Sequence, residues 1–178
     1  MIFEGEYLNG KRWKGKEYNC YSYKLDFEGE YLNGKRWNGK GYEEDNCEND
    51  IIYELKNGNG KTKEYYESEI IFEGEILNGE RNGKGTEYED GKTIFVGEYL
   101  NGKKNGKGEQ SDIHGYLVFV GDYENGKKLK GKEYGEGTMI FEGEYVKVKR
   151  SKGKEYYYGS LIFVGEYLNG KRNGNGKE

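Results

Sequence analysis

The sequence predicts an all-β protein, a single-layer and strongly twisted antiparallel sheet of consecutive β-hairpins, elongated as a rod or trough. Three observations carry that expectation. One phrase, aromatic-x-Gly-Glu-Tyr-Leu-Asn-Gly-Lys-Arg, recurs throughout the chain. Its anchors are Phe3, Phe27, Tyr53, Phe72, Phe95, Phe119, Phe141 and Phe163, with spacings of 24, 26, 19, 23, 24, 22 and 22 residues. A period near 23 residues marks an array whose units pack on their neighbours. Aromatics make up almost half of the 33% hydrophobic content, and neither Ala nor Pro occurs, which favours a pleated surface over helix. Finally, Gly returns every few residues, at about 1 kcal/mol each in a helix interior.

A clean unit runs from Ile94 to Gly108. Its first strand, Ile94-Phe95-Val96-Gly97-Glu98-Tyr99-Leu100, ends at Asn101-Gly102, a pair that supplies the positive φ angles of a tight turn. A second Asn-Gly follows, and then a short Gly-Lys-Gly-x-x-Tyr segment returns as the antiparallel partner. A polar turn such as Glu89-Asp90-Gly91-Lys92 leads into the next hairpin. Strand periodicity places Phe95, Gly97 and Tyr99 on one face, and Ile94, Val96, Glu98 and Leu100 on the other. The glycine between the two aromatics is read as space for a ring from the adjacent strand. Residues 1–178 thus read as one array of about eight repeats, the last truncated. At about 4.8 Å per strand it would extend about 75–80 Å. A charged fraction of 35% is also a mark of disorder, but aromatics arriving in register argue against it.

The phrases Phe27-Glu28-Gly29-Glu30-Tyr31-Leu32-Asn33-Gly34-Lys35-Arg36 and Asn82-Gly83-Lys84-Gly85-Thr86 resemble the MORN (membrane occupation and recognition nexus) repeat. The resemblance implies a hairpin solenoid shaped as a half-pipe, with aromatics lining its concave side. Three departures stand out. The third repeat, Tyr53-Glu54-Leu55-Lys56-Asn57-Gly58, lacks the motif glycine, so an irregular hairpin is expected. The seventh replaces Leu-Asn-Gly by Val146-Lys147-Val148, so its turn must differ. Trp13 and Trp37 stand after Lys-Arg where other repeats have Asn.

Catalytic chemistry finds no foothold. His114 is the single histidine and reads as a solvated loop residue. Cys20 and Cys47 belong to hairpins several units away from it, and two cysteines make no disulfide framework. Gly60-Lys61-Thr62 and Gly91-Lys92-Thr93 lack the earlier glycine of a phosphate loop. The run Glu43–Asp50 lacks the spacing and glycine of a calcium loop. No enzyme activity, cofactor or metal is expected. Nucleic acid is not expected either, with a net charge of −4 and pI 5.4. No apolar run of 18 or more residues occurs, and Met1–Gly5 enters a repeat at once. A cytoplasmic location is therefore expected, or one peripheral to membrane or cytoskeleton.

Two surfaces remain as binding sites. The first is the aromatic face: Tyr7, Tyr31, Phe95, Tyr99, Phe119, Tyr123, Phe141, Tyr145, Phe163 and Tyr167. Tyrosine offers a rigid apolar body with a polar tip, and a one-layer sheet cannot cover both faces. A protein segment (helix or extended peptide) or self-association is the expected use, in a non-catalytic interaction or scaffolding module. The second surface is the basic pairs at the hairpin tips: Lys11 and Arg12, Lys35 and Arg36, Lys103 and Lys104, Lys127 and Lys128, Lys149 and Arg150, Lys171 and Arg172, with Glu80-Arg81 instead in the fourth repeat. As a rim they would suit an anionic phospholipid surface, at about 1 kcal/mol per cation. The array could equally be the repeat region of a larger protein whose activity lies elsewhere.

Overall fold

The computed structural model describes residues 1–42, 51–67 and 69–178. Among them every regular element is a strand. Two compact units divide the chain at Gly91 and Lys92. The first holds β1 (Ile2–Leu8), β2 (Lys11–Tyr18), β3 (Leu25–Leu32), β4 (Lys35–Tyr42), β5 (Ile51–Lys56), β6 (Asn59–Tyr66), β7 (Glu69–Leu77) and β8 (Glu80–Glu89). The second holds β9 (Lys92–Leu100), β10 (Lys103–Ser111), β11 (Leu117–Glu124), β12 (Lys127–Gly135), β13 (Thr138–Val146), β14 (Lys149–Tyr157), β15 (Ser160–Leu168) and β16 (Lys171–Lys177). Within each unit, consecutive strands pair antiparallel in chain order. Each repeat is one hairpin.

The turns explain the Asn-Gly signal. Asn101 and Gly102 have φ of 50° and 78°, and Asn125 and Gly126 have 51° and 84°, the two positive angles that match strand twist in a two-residue hairpin. The seventh repeat, expected to turn differently, instead makes the same two-positive-φ turn from Lys147 and Val148, at 50° and 63°, because the hairpin twist fixes the backbone whatever the side chains. A β-branched residue is poorly suited to that conformation. The second Asn-Gly forms no turn. It lies inside the returning strand, where pairing jumps from Lys104↔Tyr99 to Gly108↔Gly97. Trp13 and Trp37 occupy the corresponding irregularity, between Arg12↔Tyr7 and Lys14↔Glu6, and between Arg36↔Tyr31 and Asn38↔Glu30.

The register also explains the motif glycine. Gly121, Gly131, Gly143, Gly153, Gly165 and Gly176 face one another in succession from β11 to β16. Each anchor Phe folds over such a pair, so the ring comes from the glycine's own strand and not from the adjacent one. A Cβ on Gly143 would sit 2.7 Å from both Phe141 Cζ and the Gly153 Cα, and would run into the Lys152 carbonyl oxygen. Only hydrogen fits there. In the third repeat Leu55 stands in the glycine position opposite Gly39 and fills the core itself. Its hairpin pairs only through Leu55↔Gly60 and Lys56↔Asn59, the irregularity expected from its sequence.

Two outcomes follow from this geometry. Replacing Lys147-Val148 by Asn-Gly should raise stability by about 1–2 kcal/mol, because two side chains leave a left-handed conformation; an unchanged or lower melting temperature would contradict the turn assignment. Gly143→Ala should cost about 2–3 kcal/mol in denaturant unfolding through overpacking, and a neutral result would mean that the ring does not lie over the glycine pair.

Candidate functional site

The side chains on the ring face make one repeating unit. Tyr31, Tyr123, Tyr145 and Tyr167 each stand edge-on to the Phe of their own repeat and to the Phe of the repeat before. Tyr123 meets Phe119 at 5.4 Å and Phe95 at 5.2 Å, and Tyr145 meets Phe141 at 5.6 Å and Phe119 at 5.5 Å. Such pairs contribute about 0.5–1.5 kcal/mol beyond area burial. They bury the rings. Tyr31, Phe95, Tyr99, Phe119, Tyr123, Phe141, Tyr145, Phe163 and Tyr167 are 0–8% exposed, and only Tyr7 is open at 61%. The aromatic face is therefore core and not an open contact surface. The sequence reading overestimated the tyrosine area left free, because Tyr31, Tyr123, Tyr145 and Tyr167 also pack on the phenylalanine of the repeat before.

The second cation of each basic pair closes the ring face. The cationic groups of Arg12, Arg36, Arg81, Lys104, Lys128, Arg150 and Arg172 lie 3.9–4.9 Å from the centroids of Phe3, Phe27, Phe72, Phe95, Phe119, Phe141 and Phe163. The guanidiniums then bridge carboxylates of adjacent repeats. Arg150 Nε donates to Glu133 at 2.9 Å while its Nη1 lies 3.7 Å from Glu155, and Arg172 Nε donates to Glu155 at 2.8 Å. The same carboxylates receive tyrosine hydroxyls: Tyr145 donates to Glu133 at 3.2 Å and Tyr167 to Glu155 at 3.4 Å. Half of the expected basic rim is thus internal wiring. Lys11, Lys35, Lys103, Lys127, Lys149 and Lys171 remain exposed near the turns, with Lys35 paired to Glu80 at 2.7 Å.

These carboxylates went unread in the sequence, although Glu17, Glu64, Glu87, Glu133, Glu155 and Glu178 all recur two residues after the returning glycine or its replacement. Two repeats lack such a glutamate: one has Gln110, which accepts a hydrogen bond from the Tyr123 hydroxyl at 3.3 Å, and the other has Gly41, against which the Tyr53 ring packs. Arg36 is bound instead by Asp26, which stands where other repeats have Ile71, Ile94 or Ile140, and by Glu17 at 2.8 Å. Arg36 also donates to the Tyr53 hydroxyl at 2.6 Å.

The turns are tied to the preceding repeat. Asn57 and Gly58 donate their backbone N–H groups to Asn38 Oδ1 at 2.7 Å and to the Trp37 carbonyl at 2.8 Å. Asn125 and Gly126 do the same to Asn105 Oδ1 at 3.3 Å and the Lys104 carbonyl at 2.8 Å, and Asn78 and Gly79 to Asn59 Oδ1 and the Gly58 carbonyl. An asparagine inside the returning strand is therefore a latch for the next turn.

The opposite face is open and charged. From β12 to β14 lysine and glutamate strands alternate there in register: Glu142 faces Lys132 and Lys154, and Glu144 faces Lys130 and Lys152. Lys132–Glu142 at 4.0 Å and Lys16–Glu28 at 3.7 Å are solvent-exposed pairs, worth at most about 1 kcal/mol each. In the second unit this face holds a groove of about 640 Å³ floored by Gly143, Gly153 and Gly165. Its walls are Lys130, Glu142, Glu144, Lys152, Lys154, Val164, Glu166 and Asn175.

His114 lies exposed in a loop closed by N–H donation from His114 and Tyr116 to Asp112 Oδ1. Cys20 is an exposed free thiol. Cys47 and the run Glu43–Asp50 lie outside the described residues. Among the described residues no group of three or more His, Cys, Asp or Glu side chains is placed to hold a metal ion.

The Glu17 site makes a pH-dependent outcome. Burial pushes its carboxyl up, but Arg36 and Arg12 together outweigh burial and hold it below its ordinary value of 4.5. The folded state then binds fewer protons than the unfolded chain. Its stabilisation is complete above 4.5 and is lost as pH falls through the lowered folded value. Glu17→Gln should cost about 2–3 kcal/mol at neutral pH through lost charged hydrogen bonds, with the gap to the parent narrowing as pH falls below 4.5. A gap independent of pH, followed by thermal unfolding, would remove the charge from this account.

The family model for the MORN repeat matches residues 72–93, 95–111 and 163–178, with matches in both units. Among curated proteins, none matches the sequence. Among the described residues no helix is long and apolar enough to cross a membrane. The MORN repeat is a non-enzymatic module generally associated with membrane or protein interaction. The same hairpin, glycine pair and ring–cation unit recurs around those three matches, and over those stretches the chain carries MORN repeats.

Proposed function

We propose that this protein is a non-catalytic interaction module whose partner is a polypeptide segment lying across the strands on the charged face, not on the rings. The supporting observation is a contrast between faces. The rings are closed by their own cations, whereas the opposite face keeps a groove of about 640 Å³ walled by alternating lysines and glutamates. Sign alternates from strand to strand, about every 4.8 Å, close to the 5.4 Å pitch of a helix. A helix bearing opposite charges one turn apart meets that pattern over the two or three turns that face neighbouring strands. Anionic membrane is the second reading, resting on the exposed lysines at the turns: Lys103, Lys127, Lys149 and Lys171 in the second unit.

Two charge-reversed variants separate these readings, one with Lys152→Glu and Lys154→Glu, the other with Lys103→Glu and Lys127→Glu. Each is assayed by capture from a cytosolic extract and by flotation with anionic vesicles, after melting temperature is shown unchanged. Loss of protein capture in the groove variant alone supports the first reading. Flotation of the parent that is lost only in the turn variant, with capture unaffected by groove reversal, replaces it with the second.

A further inference from the structure

From the uneven latching of the turns we infer that Asn33-Gly34 and Asn169-Gly170 are sites of spontaneous deamidation and isomerisation, and that the latched turns resist it. In this reaction the backbone nitrogen of the glycine attacks the asparagine side-chain carbonyl carbon. A carbon–nitrogen bond forms, the bond to the side-chain nitrogen breaks, and ammonia leaves with the proton released from the peptide nitrogen. Water then opens the five-membered imide at either carbonyl and yields aspartate or isoaspartate. Base and water suffice. Glycine as the next residue leaves the attacking nitrogen unhindered, so composition alone would make all these turns equivalent.

The structure separates them. In the turns at Asn57-Gly58, Asn78-Gly79 and Asn125-Gly126 the nucleophile is engaged, because the glycine N–H is donated at 2.8 Å to a carbonyl of the preceding repeat. The asparagine N–H of the same turn is donated to a carboxamide oxygen at 2.7–3.3 Å. Attack requires the asparagine backbone to rotate and the peptide nitrogen to lose its proton, and both must first break this pair of bonds. Among the described residues the Asn33-Gly34 and Asn169-Gly170 turns make no such bonds, and all four residues are exposed.

The cause lies in the preceding repeat. Where Asn38 and Asn105 serve the latched turns, Lys14 and Lys152 stand before Asn33 and Asn169. Trp13-Lys14-Gly15 and Trp37-Asn38-Gly39 differ at that one position. Each conversion places a carboxylate beside an exposed lysine, Lys35 or Lys171, and isoaspartate adds a methylene to the turn backbone.

The test is peptide mapping by mass spectrometry, with isoaspartate quantified at each Asn-Gly, after incubating the full chain in mildly alkaline buffer with and without urea. Asn33 and Asn169 should convert several-fold faster than Asn57, Asn78 and Asn125 in the native chain, and the difference should vanish in urea. Lys14→Asn should slow Asn33 and leave Asn169 unchanged; Asn38→Ala should speed Asn57. Equal native rates at all five turns would overturn the inference. So would an Asn33 rate unaltered by Lys14→Asn in a variant with the parent's melting temperature. If that variant melts lower, the Asn57 rate in Asn38→Ala decides, and no acceleration there counts as refutation.

Discussion

A phenylalanine ring lying over a pair of glycines is the contact on which the rest of this protein depends. A one-layer sheet has no second layer to bury its apolar side chains, so each ring must find cover within its own face. The Gly143–Gly153 pair lets Phe141 settle onto the backbone itself, and Tyr145 and Tyr167 then close on its edges at 5.6 and 5.5 Å. Tyr31, Tyr123, Tyr145 and Tyr167 are each shared between two phenylalanines, so burial in one repeat requires its neighbour. Within each unit the repeats hold together through that sharing, as expected of a nearest-neighbour architecture.

Charge completes what the rings begin. A guanidinium or ammonium lies over each phenylalanine, an arrangement worth about 0.5–2 kcal/mol depending on desolvation. Arg150 and Arg172 carry that cover on to the carboxylates of two successive repeats. The Arg36 site shows how strict the requirement is. With Gly41 in place of the usual glutamate, the arginine is met by Asp26 from a position that is elsewhere aliphatic. A buried arginine without a carboxylate would leave an uncompensated charge, which is far more costly than a displaced one.

These interactions account for the division of labour between faces. The side chains with the greatest binding potential in isolation, tyrosine and arginine, are consumed in joining repeat to repeat. The open charge lies on the reverse side, where lysine and glutamate strands alternate from β12 to β14 around a glycine floor, and at the turns, where one lysine of each pair is exposed. The turns are themselves unequal, because only some are held by an asparagine of the preceding repeat.

The hairpins, the Asn-Gly turns and the face bearing the rings were legible in the sequence, because strand alternation and Asn-Gly geometry are local properties written every 23 residues or so. The Lys147-Val148 turn was not, since it takes the same shape without that signature. The irregular third hairpin was legible too, from Leu55 in the glycine position. Local pattern could not say whether a ring two residues from a glycine covers that glycine or waits for a partner. That depends on cross-strand register, which sets Gly143 against Gly153 and brings Tyr145 under Glu133. Register likewise turned Arg12, Arg36 and Arg150 inward while their neighbours Lys11, Lys35 and Lys149 stayed in water, a split invisible when the pairs are read as adjacent cations. The sequence by itself determined the strands, the turns and the repeat. Only the tertiary structure decided which side chains were spent on packing, because burial of each ring is completed by residues one whole repeat away.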